Sequence, residues 1–184
     1  MITVTPTGLP EVMIVEPKVF GDARGFFTES WNESRFNEAT GNTLKFVQDN
    51  HSRSARGVLR GLHFQLAPHA QGKLVRCVAG AVFDVAVDMR RGSSRFGQWV
   101  GVELTAENQK QLWIPPGFAH GFLVLSDSAD FLYKTTGYYA PQAEGSVRWD
   151  DPALGIQWPD TGVVPQLADK DLKAPLFVDA RTFD

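Results

Sequence analysis

Between Ala81 and Met89 the chain reads AVFDVAVDM, with Phe83, Val85 and Val87 at every second position. That period predicts a β-strand with one face turned to a core. Shorter apolar runs follow in WVGVEL, KQLWIPP, HGFLVLS and FLYKTTGYYAP, separated by clusters of Gly, Pro, Asn and Ser. Short strands punctuated in this way predict an all-β barrel or sandwich. One helix is predicted over Asn32 to Thr40, with Gly41 placed to end it. The C-terminal stretch carries Pro152, Pro159, Pro165 and Pro175. It predicts extended segments with one helical turn, packed over the barrel. No repeat, low-complexity tract or linker interrupts the pattern, so residues 1–184 are expected to form one domain.

Composition narrows this further. With 184 residues, 43% hydrophobic and 21% charged, the chain suits a globular domain with a sizeable core. A net charge of −3 argues against bulk nucleic-acid binding, which needs a basic surface. It leaves room for a local basic cluster that binds one small anion. The single cysteine, Cys77, excludes an internal disulfide, and its place in LVRCV predicts a core residue. No apolar window is long enough for a membrane-spanning helix. The opening MITVTPTGLPEV lacks a basic region followed by an apolar run, so a cytoplasmic location without a signal peptide is expected.

The stretch from Gly57 to Gly80 carries the first chemical signal. Metal cupins space Gly, five residues, His-x-His, a short gap, Glu, six residues and Gly. Here Gly57, His63 and Gly80 keep their places, while Gln65 replaces the second His and Lys73 replaces the Glu. A second such element, Pro-x-Gly-x-x-His, follows at Pro115, Gly117 and His120. An ammonium repels a divalent cation and an amide is a weak substitute for imidazole. A cupin-type jelly-roll barrel or sandwich with a few short helices is expected, its cavity kept and its metal chemistry lost. Lys73 would attract an anionic oxygen instead.

The strings QDNHSRS, LRGLHFQ, QGKLVRC, FGQWVGVEL, IPPGFAHGF, YKTTGYYAP and DKDLKAP together resemble the dTDP-4-dehydrorhamnose 3,5-epimerase family. The resemblance runs from about Val15 to Pro175, most of the chain, and rests on the order and spacing of the strings. It implies a metal-independent nucleotide-sugar epimerase, usually a homodimer, without a cofactor. The implied substrate is dTDP-4-dehydro-6-deoxy-D-glucose and the product dTDP-4-dehydro-L-rhamnose, in dTDP-rhamnose biosynthesis.

Inverting a carbon beside a ketone needs a base, a stabiliser for the enolate oxygen, and an acid on the opposite face. His63 resembles the family's proton acceptor, and an imidazole suits proton removal near neutrality. Asp171 matches the carboxylate that orients it, although by residue type alone it would cap the following turn. Ala168 stands where the family usually has Ser, which removes a local hydrogen bond. Tyr133 matches the acid, where strand packing is the plainer reading. Lys73 would replace the metal's charge, and His120 would donate to the sugar or ketone oxygen or serve as a structural histidine.

Arg24, Arg60 and Lys170 match family contacts to the substrate, and arginine forks suit a diphosphate. Glu29, Gln48, Asn50 and Glu144 fall on further binding positions. Tyr139 is preferred over Tyr138 as the thymine stacker because a regular strand would put it on the face of Tyr133. Phe20 and Phe27 could line the pocket too, with core packing the plainer reading. His51 and His69 read as surface or loop residues. One difficulty stands out. Arg60 and His63 are three apart, so a flat strand would set them on opposite faces. Either the chain bends, at Gly61, or Arg60 serves a partner subunit's site.

Rival readings are a one-site epimerase acting only at carbon 3 or carbon 5, a metal cupin using His63, His69 and His120, and a non-catalytic sugar-binding cupin.

Overall fold

The computed structural model describes residues 2–184. The strands are β1 (Ile2–Pro6), β2 (Met13–Pro17), β3 (Val19–Asp22), β4 (Gly25–Thr28), β5 (Gln48–Ala55), β6 (Leu59–Gln65) and β7 (Lys73–Ala79). They continue as β8 (Ala81–Asp88), β9 (Trp99–Thr105), β10 (Gln111–Ile114), β11 (Phe118–Val124), β12 (Ser128–Thr135) and β13 (Glu144–Ser146). Two short helices, α1 (Glu33–Thr40) and α2 (Asp169–Leu172), complete the regular elements with two 3-10 turns.

A six-stranded sheet in the order β1-β2-β10-β7-β12-β5 faces a five-stranded sheet in the order β13-β6-β11-β8-β9. A separate β3–β4 hairpin stands apart from both. This is the expected all-β jelly-roll sandwich.

The predicted helix forms where its caps dictate. The Asn32 side chain accepts from the Arg35 N–H at 3.1 Å, and Gly41 ends the helix in the left-handed region at φ 67°. Strand β8 departs from the simple alternation. Val85 and Val87 pack outward beneath the C-terminal segment with Leu154 and Ala180, while Val82 and Ala86 fill the inter-sheet core with Val75, Phe122 and Phe131. Both faces of β8 are therefore buried, and Asp84 lies on the inner one. The C-terminal segment covers the five-stranded sheet as expected, with α2 as its helical turn. Cys77 is buried in the core.

Interior positions change character along the sandwich. On β12 they run Phe131, Tyr133, Thr135, and on β7 they run Cys77, Val75, Lys73. Tyr133 sits beside Val75 and Asn50, and Thr135 beside Lys73 and Gln48. The apolar end packs shut and the polar end stays open, which leaves a cavity between the sheets.

Candidate active site

The cavity consists of two adjoining chambers of about 480 and 330 Å³ that share His63, Lys73, Tyr133 and Lys170. The first is also lined by Arg60, His120 and Asp171. The second adds Gln48, Asn50, Tyr139 and Glu144. His63 and His120 come from paired strands of the five-stranded sheet, where they are direct cross-strand neighbours. Lys73 and Tyr133 come from the facing sheet.

His63 Nε2 lies 2.5 Å from Asp171 Oδ1. Burial opposes ionisation of Asp171, but the His63 bond, the Gly61 N–H and the charge of Lys170 outweigh it and hold the carboxyl below its usual range. An ionised carboxylate only accepts, so Nε2 carries a ring proton, and in the neutral ring Nδ1 keeps a free lone pair. Ala168 precedes α2 without a side-chain cap, as its methyl dictates. Asp171 spends its oxygens on His63 and the Gly61 N–H rather than on capping a turn.

The Lys73 ammonium makes no hydrogen bond or ion pair among the described residues. Burial lowers its ammonium to about 8, opposed by the charges of Asp84 and Glu144. Burial raises the Tyr133 phenol against the pull of Arg60 and Lys170, so it stays protonated through neutral pH. Lys170 pairs with Glu144 at 2.8 Å, and the Tyr139 hydroxyl donates to the same carboxylate at 3.3 Å. His120 Nε2 lies 2.9 Å from Asp84 Oδ2, with Asp84 wholly enclosed.

The family model described as dTDP-4-dehydrorhamnose 3,5-epimerase matches residues 6–179. The chain belongs to that family. The dTDP-4-dehydrorhamnose 3,5-epimerase of Salmonella typhimurium is 60% identical over 177 residues, covering 96% of each chain. The solved epimerase of Legionella pneumophila, in complex with dTDP-4-keto-L-rhamnose, is 55% identical with a TM-score of 0.94, over 97% of this chain and 94% of that one. A 3'-monoepimerase from Streptomyces bikiniensis, solved with dTDP-quinovose, is 38% identical with a TM-score of 0.89, over 94% of this chain and 87% of that one.

Within this family's fold, the Arg60 difficulty resolves locally. The β6–β11 register pairs His120 with His63 but Phe122 with Arg60, so β6 carries one extra residue between them. Gly61 takes up the bulge at φ 123°, and a side chain there would run into the backbone of His120 and Gly121. Arg60 and His63 thus line one chamber of their own chain.

Several expectations need correction. Arg24 and Glu29 do not line the cavity of their own chain. Arg24 lies on the β3–β4 hairpin with its side chain 90% exposed and pairs with Asp22, while Glu29 pairs with Arg35. Phe20 and Phe27 are not core residues. With Phe26 they stand 53%, 69% and 64% exposed, because the two-stranded hairpin has no sheet behind it. The parity used for Tyr139 fails, since β12 ends at Thr135 and the chain bends at Thr136–Gly137 before both tyrosines. Tyr139 nonetheless reaches the second chamber and Tyr138 does not. The metal rival lacks its geometry. His69 is exposed, and no three His, Cys, Asp or Glu side chains among the described residues are grouped to hold a metal ion.

Sequence reasoning missed two residues. Gln65 is buried, donates to the carbonyls of His69 and Tyr138, and accepts from the Ala140 N–H, so it pins the loop that presents Tyr139. Its position in the vacated metal motif was the available clue. Asp84 was hidden as the polar interruption of an apolar strand.

Proposed function

We propose that this protein converts dTDP-4-dehydro-6-deoxy-D-glucose to dTDP-4-dehydro-L-rhamnose by inverting carbons 3 and 5 in turn. Both carbons flank the ketone at carbon 4, so one enolate chemistry serves both. His63 Nδ1 takes the proton. Lys73, with His120, holds the negative charge that develops on the carbon-4 oxygen. Tyr133 returns a proton to the opposite face, and solvent resets the two groups. No electrons are gained or lost, so the cycle balances without a redox cofactor. One observation carries this reading. A histidine held by a buried carboxylate and a neutral tyrosine stand on opposite walls of one cavity, with an unpaired ammonium beside them.

Arg60 and Lys170 supply cations for the diphosphate. Gln48, Asn50 and Glu144 offer amide and carboxylate groups to the nucleoside, with Tyr139 stacked on thymine. A sugar-binding protein without turnover has no use for an oriented base facing an acid. Configuration of the product decides the matter. The L-rhamno sugar requires inversion at both carbons, whereas a one-site enzyme like the Streptomyces bikiniensis neighbour leaves one of them unchanged. Tyr133→Phe is expected to lose at least one inversion while His63 still exchanges substrate protons with solvent. A variant that neither inverts nor exchanges would remove Tyr133 from the role of acid.

The assembly completes the reading. The β3–β4 hairpin exposes three phenylalanines and carries Arg24 away from its own cavity. A second copy of the chain is the partner that would cover this aromatic surface and receive Arg24 and Glu29 as substrate contacts. Sedimentation velocity should therefore show a dimer, and Arg24→Ala should raise KM with little change in kcat. A monomer with full activity contradicts the homodimer. No helix among the described residues is long and apolar enough to cross a membrane. The free, buried Cys77 suits the reducing cytoplasm, where we place the enzyme.

A further inference from the structure

Two His–Asp pairs face this cavity, and they differ in a way their shared geometry hides. In each, the histidine Nε2 meets an aspartate oxygen, at 2.5 Å for His63–Asp171 and 2.9 Å for His120–Asp84. Asp171 behaves as a carboxylate. Its second oxygen has the Gly61 N–H at 3.5 Å, and Lys170 lies nearby. Asp84 has no such donor on its second oxygen. Its Oδ1 is sealed from solvent and has no hydrogen-bond partner. Lys73 is the cation facing it from β7, yet forms no hydrogen bond to that bare oxygen.

A buried carboxylate with one oxygen unpaired is costly. A carboxylic acid fits the same surroundings, with its O–H on Oδ2 donating to Nε2 and Oδ1 left as a weakly accepting carbonyl. An aspartate–imidazolium pair holds the same number of protons and is equally compatible. In both, His120 Nδ1 must carry a hydrogen. That nitrogen has no protein partner, and the ring lines the first chamber.

We propose that Asp84 is a positioning residue that keeps one extra proton on the Asp84–His120 pair, so that His120 presents Nδ1–H to the cavity while His63 presents a bare Nδ1. The two pairs are thus in opposite proton states, one a base and the other a hydrogen-bond donor for the oxyanion. The directions of titration agree. Burial, the largest influence on each, raises the Asp84 carboxyl and lowers the His120 imidazole. The other charged or titratable groups around the cavity are Lys73, His63, Arg60, Tyr133, Glu144, Lys170 and Asp171. Among them Lys73 favours ionisation of Asp84, less than the charge and hydrogen bond of His120 do. Separated pKa values on neighbouring groups are how one site supplies both acid and base chemistry.

This inference rests on the epimerase reading for its purpose, but its test does not. Nitrogen-15 NMR of histidine-labelled protein at neutral pH resolves the ring tautomers. The chain has only four histidines, and the His120 signals are assigned by their loss in His120→Gln. The expected spectrum has a protonated Nδ1 on His120 and a bare Nδ1 on His63. A bare Nδ1 on His120 overturns the proposal, whatever the activity.

Asp84→Asn supplies an amide N–H to Nε2. It should keep the Nδ1–H signature and a kcat within about tenfold of the native value. Asp84→Ala removes the donor and should lower kcat further, with KM little changed. An Asn variant that folds but shows the bare Nδ1 and the rate of the Ala variant contradicts the proposal. If neither variant folds, the native spectrum decides alone. Failure of the native protein to exchange substrate protons would instead overturn the functional reading and leave the tautomers as measured.

Discussion

His63→Asn is expected to lower kcat by at least about a thousandfold while dTDP binding stays within a few-fold of native. General base catalysis is worth roughly a hundred- to ten-thousandfold, and three decades correspond to about 4 kcal/mol of transition-state stabilisation. Asparagine offers no nitrogen lone pair for the substrate proton. The nucleotide contacts proposed for Tyr139, Glu144, Gln48 and Asn50 lie in the second chamber and remain. Asp171 loses its imidazole partner while staying buried, so a stability loss of about 1–3 kcal/mol is expected alongside. Titration calorimetry with dTDP and a turnover assay check the two halves. Normal turnover in this variant would remove His63 from the role of base.

Lys73→Met should cost roughly a hundred- to thousandfold in kcat, the usual consequence of losing one stabilising group at a developing oxyanion. The native enzyme also offers a pH test. Burial has brought the Lys73 ammonium down to about 8. The free enzyme therefore loses this cation as pH rises through about 8, and kcat/KM should fall on that side. Lys73→Arg keeps its charge throughout the accessible range. Whatever its absolute rate, its alkaline limb should move to higher pH. An unmoved limb would mean that another group sets it.

Most of the site was legible in the sequence because the motif strings carry it. His63, Lys73, His120, Tyr133 and Asp171 converge on one cavity although they come from β6, β7, β11, β12 and α2. Periodicity gave the strands and the capped helix, since those depend on local pattern and backbone chemistry. It failed where the chain leaves regular geometry. The bulge at Gly61 reverses the face of Arg60, and the bend after Thr135 breaks the parity that led to Tyr139. Nor could it tell that Phe20 and Phe27 belong to a hairpin with nothing behind it, because an aromatic looks the same in a core and on an open hairpin. Asp84 escaped notice for the opposite reason. Its strand is buried on both faces, and a lone acid in such a run is informative only once its enclosure is seen.

The central claim is that one base and one acid in a single cavity invert two carbons. Proton NMR of dTDP-4-dehydro-6-deoxy-D-glucose with the protein in deuterated water tests it most directly. Deuterium should enter at carbon 3 and at carbon 5 with the native protein, and at neither with His63→Asn. Entry at one carbon only, at none, or unchanged entry in the His63 variant would contradict it.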